Sequence, residues 1–470
     1  MDDKARISTG CDGLDHILNG GLPPRQAYMI RGGPGHGKTT LGLQCLAAAG
    51  ATGTPLYIGF QETESQLRDN AARQSLPLEG VRLLSLVPDE RLFAEQQHYD
   101  IFHPAEVEFE PLVQRIVEAI EAQPPSVVFI DSVSHLQLLF SDAFQFRAQI
   151  LSFLRYLRGR GCTVLFSSEA GNPSTDIDLQ FLADGVIELG EGYLQVCKLR
   201  GARFMAGRHQ CRLDERGFQA FPHHLPPSRA VAAPEGAPLS SGCPGLDALL
   251  GGGLPAGSIS LITGPSGIGK STLGAAFARE AGRRGRVAIY LFEEELPGYL
   301  QRAEDLSLDL AALHRDGQLH IEQVEPLRYL VDEFLEGVRR HVEATDTRLV
   351  ILDSVSGFEL SLRGEQLKDR VHAFAKGLAR RGISVLLINE IQVISGPMTL
   401  TDRGISYLAD NVLLLNYREE RQRMGKMLGV LKKRTGQFDP RICAYRIGPG
   451  GLQLLEESAE ASLLNRGDPT

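Results

Sequence analysis

A short β-type run, Ile259 to Thr263, opens into Gly264-Pro265-Ser266-Gly267-Ile268-Gly269-Lys270-Ser271, and a helical pattern follows at once. This is G-x-x-x-x-G-K-[ST] held between a strand and a helix, and few folds can place it there. Its glycines let backbone N–H groups close in on phosphate oxygens, while the helix that follows points its positive end at them. Lys270 is placed to reach the β- and γ-phosphates of a nucleotide, and the Ser271 hydroxyl to hold Mg²⁺. The pattern occurs a second time, at Gly32-Gly33-Pro34-Gly35-His36-Gly37-Lys38-Thr39. The offset between Lys38 and Lys270 also aligns Ser8-Thr9-Gly10-Cys11-Asp12-Gly13-Leu14-Asp15 with Ser240-Ser241-Gly242-Cys243-Pro244-Gly245-Leu246-Asp247, and Gly20-Gly21-Leu22-Pro23 with Gly252-Gly253-Leu254-Pro255. The chain therefore carries a duplicated nucleotide-binding unit. The expected binding residues are Gly32, Gly33, Gly35, Gly37, Lys38, Thr39 and Thr40 in the first copy. In the second they are Gly264, Gly267, Gly269, Lys270, Ser271 and Thr272.

Each loop and helix is followed by a strand with acidic groups at its end. Pro55 to Phe60 leads into Gln61-Glu62-Thr63, and Val287 to Phe292 into Glu293-Glu294-Glu295. The constant offset pairs Glu62 with Glu294 and Gln61 with Glu293. A carboxylate at this point can orient and deprotonate an attacking water; the neutral amide of Gln61 can orient water but cannot take its proton. Apolar runs ending in Asp131 and Asp353 suit strands buried on both faces of a parallel sheet. An Asp there can hold Mg²⁺ through water, so the expected metal set is Thr39 and Asp131 in one copy, Ser271 and Asp353 in the other. Further strands, Thr163 to Ser167 and Ala183 to Ile187 in the first copy, Ile383 to Ile388 and Ala409 to Leu413 in the second, alternate with helical stretches. That alternation predicts an α/β fold of two tandem units, each a mostly parallel sheet flanked by helices. Each copy closes in an antiparallel-looking tail bearing Lys198-Leu199-Arg200-Gly201 or Lys432-Lys433-Arg434-Thr435-Gly436.

Residues 222–239 are Pro/Ala-rich and aperiodic and read as a linker between units 1–221 and 240–456, with 457–470 a polar tail. His223-His224 belongs to that linker rather than to a metal site. His36 stands at a variable loop position and reads as incidental, and Pro88 to Glu110, with His98 and His103, reads as a surface excursion. The 470 residues suffice for two full cores. A net charge of −9 gives no general attraction for nucleic acid or anionic membranes. The seven cysteines form no C-x-x-C pair, which fits reduced cytosolic thiols. The N-terminus lacks an apolar signal region, and no run approaches the ~18 apolar residues of a membrane span, so the expected location is the cytoplasm.

Two tandem phosphate loops, each led by [ST]-[ST]-G-C-x-G-L-D and followed by a strand with an acidic end, resemble the KaiC family of RecA-fold ATPases. The resemblance covers nearly the whole chain. It implies two RecA-like domains in a homohexamer, with ATP and Mg²⁺ bound between neighbours in two tiers. It also implies slow ATP hydrolysis in the first domain and Ser/Thr autophosphorylation in the second. On that pattern Glu293 and Glu294 match the general base of the kinase side. Lys198 with Arg200, and Lys432 with Arg434, match basic residues that reach a neighbour's γ-phosphate, and Arg421 and Lys426 match further basic groups of the closing hairpin. Ser406 matches the serine phosphoacceptor and Thr401 a nearby threonine, whereas Tyr407 stands where the family's clock protein has its threonine acceptor.

Gln61 departs from a carboxylate pair, the first closing hairpin is short around Glu191-Gly192-Tyr193, and only about twenty residues follow Pro449. The long tail that binds a KaiA activator in that family therefore has no expected counterpart. The partners that fit are a KaiB-like protein or a histidine kinase. Two other functions compete with an autophosphorylating ATPase: a non-catalytic ATP-dependent scaffold, and a RecA- or RadA-type recombination ATPase. The latter needs basic, aromatic-bearing loops for single-stranded DNA and, for RadA, a Cys₄ zinc module; the chain has no Trp and no such spacing, so nucleic acid is not an expected partner.

Overall fold

In the strand Ala27–Gly32 (β1), Tyr28 and Ile30 enter one apolar cluster while Ala27 and Met29 enter another on the opposite face. Such a strand is covered on both sides, and its neighbours repeat the division: Tyr57 and Phe129 lie on the first face, Ile58 and Val128 on the second. The computed structural model describes residues 6–51, 53–87, 104–137, 140, 142–169, 173–223, 236–363, 367–391, 409–420 and 423–455. The chain divides into two compact units, Met1–His223 and His224–Thr470.

The remaining strands of the first unit are β2 (Pro55–Gly59), β3 (Arg82–Ser85), β4 (Val127–Asp131), β5 (Thr163–Glu169), β6 (Gly185–Gly190), β7 (Tyr193–Leu199), β8 (Arg208–Asp214) and β9 (Gly217–Phe221). They form one sheet in the order β3-β2-β4-β5-β1-β6-β7-β8-β9. Pairing is parallel from β3 to β6 and antiparallel from β6 to β9. Helix Lys38–Gly50 supplies Leu41, Leu43 and Leu46 to one face, and helix Ala143–Gly159 supplies Ile150, Leu154 and Leu157 to the other. Each such side chain contributes about 1.5–3 kcal/mol by leaving water.

The second unit repeats the plan with β10 (Ile259–Gly264), β11 (Arg286–Leu291), β12 (Leu319–Gln323), β13 (Thr347–Asp353), β14 (Ser384–Glu390), β15 (Asn411–Glu420), β16 (Arg423–Lys433), β17 (Cys443–Gly448) and β18 (Gly451–Leu454). Their order, β12-β11-β13-β14-β10-β15-β16-β17-β18, matches the first sheet position for position. The expected architecture of two mostly parallel sheets flanked by helices is what the chain adopts.

The repeated leader has a local cause. The Asp15 carboxylate accepts from the Thr9 N–H at 2.8 Å, from Thr9 Oγ1 at 2.7 Å and from Ser8 Oγ at 2.6 Å. Asp247 binds Ser241 and Ser240 in the same way. The two acids staple the leader turn, with Cys11 and Cys243 buried beneath as small apolar packing groups.

Three features differ from expectation. Residues 104–110, read as part of a surface excursion, begin a helix, Pro104–Ala122, whose Ile116 and Ile120 are buried at an i, i+4 spacing; residues 88–103, with His98 and His103, lie outside the described residues. The short edge strands β3 and β12 have too few apolar positions to stand out from the sequence. The hairpin difference is larger than the turn residues indicate: β6–β7 closes at Gly190 opposite Tyr193, whereas β15–β16 runs out to Glu420 opposite Arg423. No helix among the described residues is long and apolar enough to cross a membrane.

Candidate nucleotide-binding sites

Both phosphate loops leave the carboxyl end of the strand at the centre of the sheet, where strands on either side diverge in connection and open a crevice. Gly37 and Gly269 cap the helices that follow, at φ 85 and 110. A Cβ at Gly37 would stand 3.0 Å from the Phe218 ring, and one at Gly269 2.4 Å from Ile447, so conformation and space both demand glycine. Lys38 Nζ donates to the carbonyls of Gly32 at 2.9 Å and Gly33 at 2.8 Å; Lys270 Nζ donates to Pro265 O at 2.8 Å and lies 3.6 Å from Glu390. Burial pulls both ammonium groups below the ordinary lysine range, opposed by Glu169 in one unit and Glu390 in the other. A phosphate beside them would oppose that shift and favour the charged form. Of the remaining loop residues, Thr40 spends its hydroxyl on Gln74 at 3.0 Å, and Thr272 is buried at the edge of the second cleft.

The metal-binding expectation brings together the residues named for it. Thr39 Oγ1 donates to Asp131 Oδ2 at 2.7 Å, and Ser167 donates to Asp131 Oδ1. In the second unit the Ser271 hydroxyl bonds to Asp353, which is buried and pushed up to about 6, chiefly by desolvation. Asp353 Oδ2 is buried without a hydrogen-bond partner. One hydroxyl and one carboxylate with an unpartnered oxygen form a donor set suited to a cation that takes its other ligands from phosphate and water, as Mg²⁺ does. The second cleft, about 660 Å³, is lined by Lys270, Ser271, Glu293, Glu294, Asp353 and Glu390. That is ample for a nucleotide.

The acidic ends of β2 and β11 differ in what holds them. Glu62 accepts from Asn70 Nδ2 at 3.2 Å, and its carboxyl is raised by burial and by the nearby Asp131 charge. Its counterpart Glu294 is paired with Arg302 at 2.8 Å. Glu293 accepts from Ser354 Oγ at 2.5 Å. At the matching position Gln61 Nε2 lies 2.5 Å from His135 Nε2, and His135 Nδ1 lies 2.7 Å from Ser132 Oγ. Sequence reasoning missed Asn70 and Arg302, each eight residues past the glutamate it meets with no motif to mark it, and His135, which meets Gln61 from far along the chain.

Lys198, Arg200, Lys432 and Arg434 do not join the phosphate loops of their own units. Lys198 pairs with Val186 near the start of β6, and Gly185 stands beside Tyr28, four residues below Gly32 on β1. At about 3.3 Å per residue these groups lie roughly 13 Å down the sheet from the loop. There Lys198 Nζ donates to Gln180 O and Ala183 O, and Arg200 faces Asp184 at 3.5 Å. Lys432 donates to Ala409 O, and Arg434 faces Asp410 at 3.3 Å. Both arginines are more than half exposed, 59% and 54%, and such pairs are worth little. Lys426 Nζ, by contrast, reaches Gly267 O at 3.3 Å, and Tyr417 OH reaches Ser266 O at 3.4 Å, so the long hairpin touches its own loop. Thr401, Ser406, Tyr407 and Arg421 lie outside the described residues.

The family model described as "ATPase: KaiC" matches residues 7–224 and again 239–459. Circadian clock oscillator protein KaiC from Prochlorococcus marinus is 26% identical over 484 residues, covering 99% of this chain and 95% of that protein. The protein of the same name from Picosynechococcus sp. is 27% identical over 483 residues, covering 99% and 92%. Circadian clock oscillator protein KaiC 1 from Synechocystis sp. is 26% identical over 483 residues, again covering 99% and 92%.

Proposed function

The chain belongs to the KaiC family of ATPases, and from that premise we propose that it hydrolyses ATP in its first domain and transfers phosphate to its own Ser406 in the second. The observation that carries this reading is the twice-built set of loop lysine, hydroxyl–aspartate pair and carboxylate at the strand end: Lys38, Thr39, Asp131 and Glu62, then Lys270, Ser271, Asp353 and Glu293–Glu294. In the first site Glu62 takes a proton from the attacking water; its raised basicity suits that task. As the water oxygen bonds to the γ-phosphorus, the bond to the bridging oxygen breaks and ADP leaves. Lys38 meets the charge that develops. Thr39 with Asp131, and Ser271 with Asp353, would hold Mg²⁺, which supplies charge neutralisation on the phosphates. In the second site a carboxylate of the Glu293–Glu294 pair takes the serine hydroxyl proton instead.

The exposed Arg200 and Arg434, turned away from their own loops beside half-buried Lys198 and Lys432, support sites completed by a neighbouring copy in a homohexamer. Nucleotide is then part of the interface, so binding and association are linked. A slowly hydrolysed ATP analogue should convert small species to hexamers by light scattering; a monomer that persists with nucleotide bound refutes the ring. After incubation with Mg·ATP, intact mass and site mapping should show one phosphate per chain on Ser406, absent in Ser406→Ala and in Glu294→Gln. Phosphate on Tyr407, or none on an assembled ring, would leave an ATPase without the kinase. A KaiB-like protein or a histidine kinase is the partner class we propose, in the cytoplasm.

A further inference from the structure

We propose that His135 is a positioning residue of the first ATP site, holding the Gln61 amide so that its carbonyl oxygen, not its NH₂, faces the attacking water. The inference rests on the reading of Glu62 as the base of that site.

The two units differ at one point beside the strand-end Asp. Gln61 and Glu293 correspond, as do Ser132 and Ser354, each directly after the strand-end Asp. In the second unit the serine hydroxyl donates straight to Glu293 Oε1 at 2.5 Å. The residue beneath that contact is Gly357. A Cβ there would stand 2.7 Å from Phe292 Cβ and 2.8 Å from Glu293 Cγ, so no side chain fits while Glu293 keeps its place. The residue at the same distance after Asp131 is His135, and its ring lies between the serine and Gln61 as the middle member of a three-part chain.

The hydrogen atoms along this chain have one consistent arrangement. The amide N–H of Gln61 donates to His135 Nε2. A neutral imidazole that accepts at Nε2 carries its proton on Nδ1, and that proton goes to Ser132 Oγ. The remaining polar atom of Gln61, Oε1, is then an acceptor whose direction is fixed. A carboxamide free to turn over would offer water a donor half the time, and a donor opposes the loss of the water proton to Glu62. His135 thus gives an amide the one-sided acceptor character that Glu293 has from its charge. The water proton still ends on Glu62, so no additional base is invoked.

The test uses the full-length chain carrying Lys270→Ala, in which ATP hydrolysis reports the first site. His135→Leu fills the ring's space without an acceptor and should lower kcat roughly tenfold or more, with KM for ATP little changed, as expected when a reacting group is misplaced but nucleotide binding is not. His135→Gln, which offers an amide oxygen near the Nε2 position, should keep most of the rate. A residue that only packs would give the reverse order. The second comparison is His135→Gly against Gln61→Glu/His135→Gly, which rebuilds the Glu293–Gly357 arrangement; the double variant should be the faster, and it decides the matter if leucine disturbs folding. Equal kcat for His135→Leu and the parent, or a double variant no faster than His135→Gly, overturns the proposal. Glu62→Gln in the same background separates the two readings. If it leaves turnover intact, the assignment of the base fails whatever His135 does; if it abolishes turnover while His135→Leu does not lower it, only the present inference fails.

Discussion

At the scale of single residues, the buried Asp353 shows how a site prepared for a cation weakens the protein that lacks one. Its carboxyl is raised to about 6 by desolvation, above the ordinary aspartate value. Between those two values the folded protein holds a proton that the unfolded chain has lost. Metal-free stability therefore falls as pH rises from about 4 to about 6 and stays low above that. Two pH units correspond to about 3 kcal/mol. Without nucleotide, Asp353→Asn should be the more stable protein at pH 8 by up to that amount, with the gap narrowing by pH 5 in urea titrations; a gap that is absent or independent of pH would mean that the charge is already compensated. Mg·ATP should reverse the ranking. Asp353 was legible in the sequence because an apolar run ending in Asp is a local signature, and so was Glu62, from its register with the loop. Asn70, Arg302 and His135 were not: the first two turn back from the following helix on a glutamate eight residues earlier with no motif to mark them, and His135 meets Gln61 only because β2 and β4 pair in the sheet.

Among the elements, the two closing hairpins separate sites that otherwise share a plan. The β15–β16 hairpin carries Tyr417 and Lys426 over the second phosphate loop, and the six- and seven-residue strands β6 and β7 have nothing of that reach. The hairpin adds a wall to one side of the second nucleotide, and binding differences of this kind show mainly in off-rates. Lys426→Ala with Tyr417→Phe should speed release of a fluorescent ADP analogue from the second site by roughly three- to tenfold while leaving the first unchanged. Equal off-rates before and after would assign the hairpin a purely structural role. The strands that carry the sites could be read from the chain because they are buried on both faces and hence continuously apolar. The edge strands β3 and β12, half-buried and short, lack that signal. The helix Pro104–Ala122 was hidden by a proline in its interior and by the aperiodic residues before it.

For the whole molecule, the exposed Arg200 and Arg434, set away from the phosphate loops of their own units, bear on the proposal that a neighbouring copy completes each site. Mixing a Lys270→Ala chain with an Arg434→Ala chain tests this, since each chain alone loses its own contacts whether or not the other is present. Each is expected to be inactive at the second site alone. In mixed rings with head-to-tail interfaces, about a quarter of junctions would pair an intact loop with an intact arginine. Second-site phosphate incorporation should therefore recover to about that fraction, whereas sites completed within one chain would recover nothing. The duplication itself also has a cost for the gene. Repeated halves can overwrite one another by recombination, and the strand order, which the two sheets share, would survive such an exchange. The Gln61–His135 and Glu293–Gly357 pairs would not. A copied tract that brought histidine to position 357 without glutamine at 293 would drive a ring into Phe292 and Glu293, and the two codons stand too far apart for a short tract to carry both. A single crowded glycine can in this way keep two halves of one gene from becoming alike.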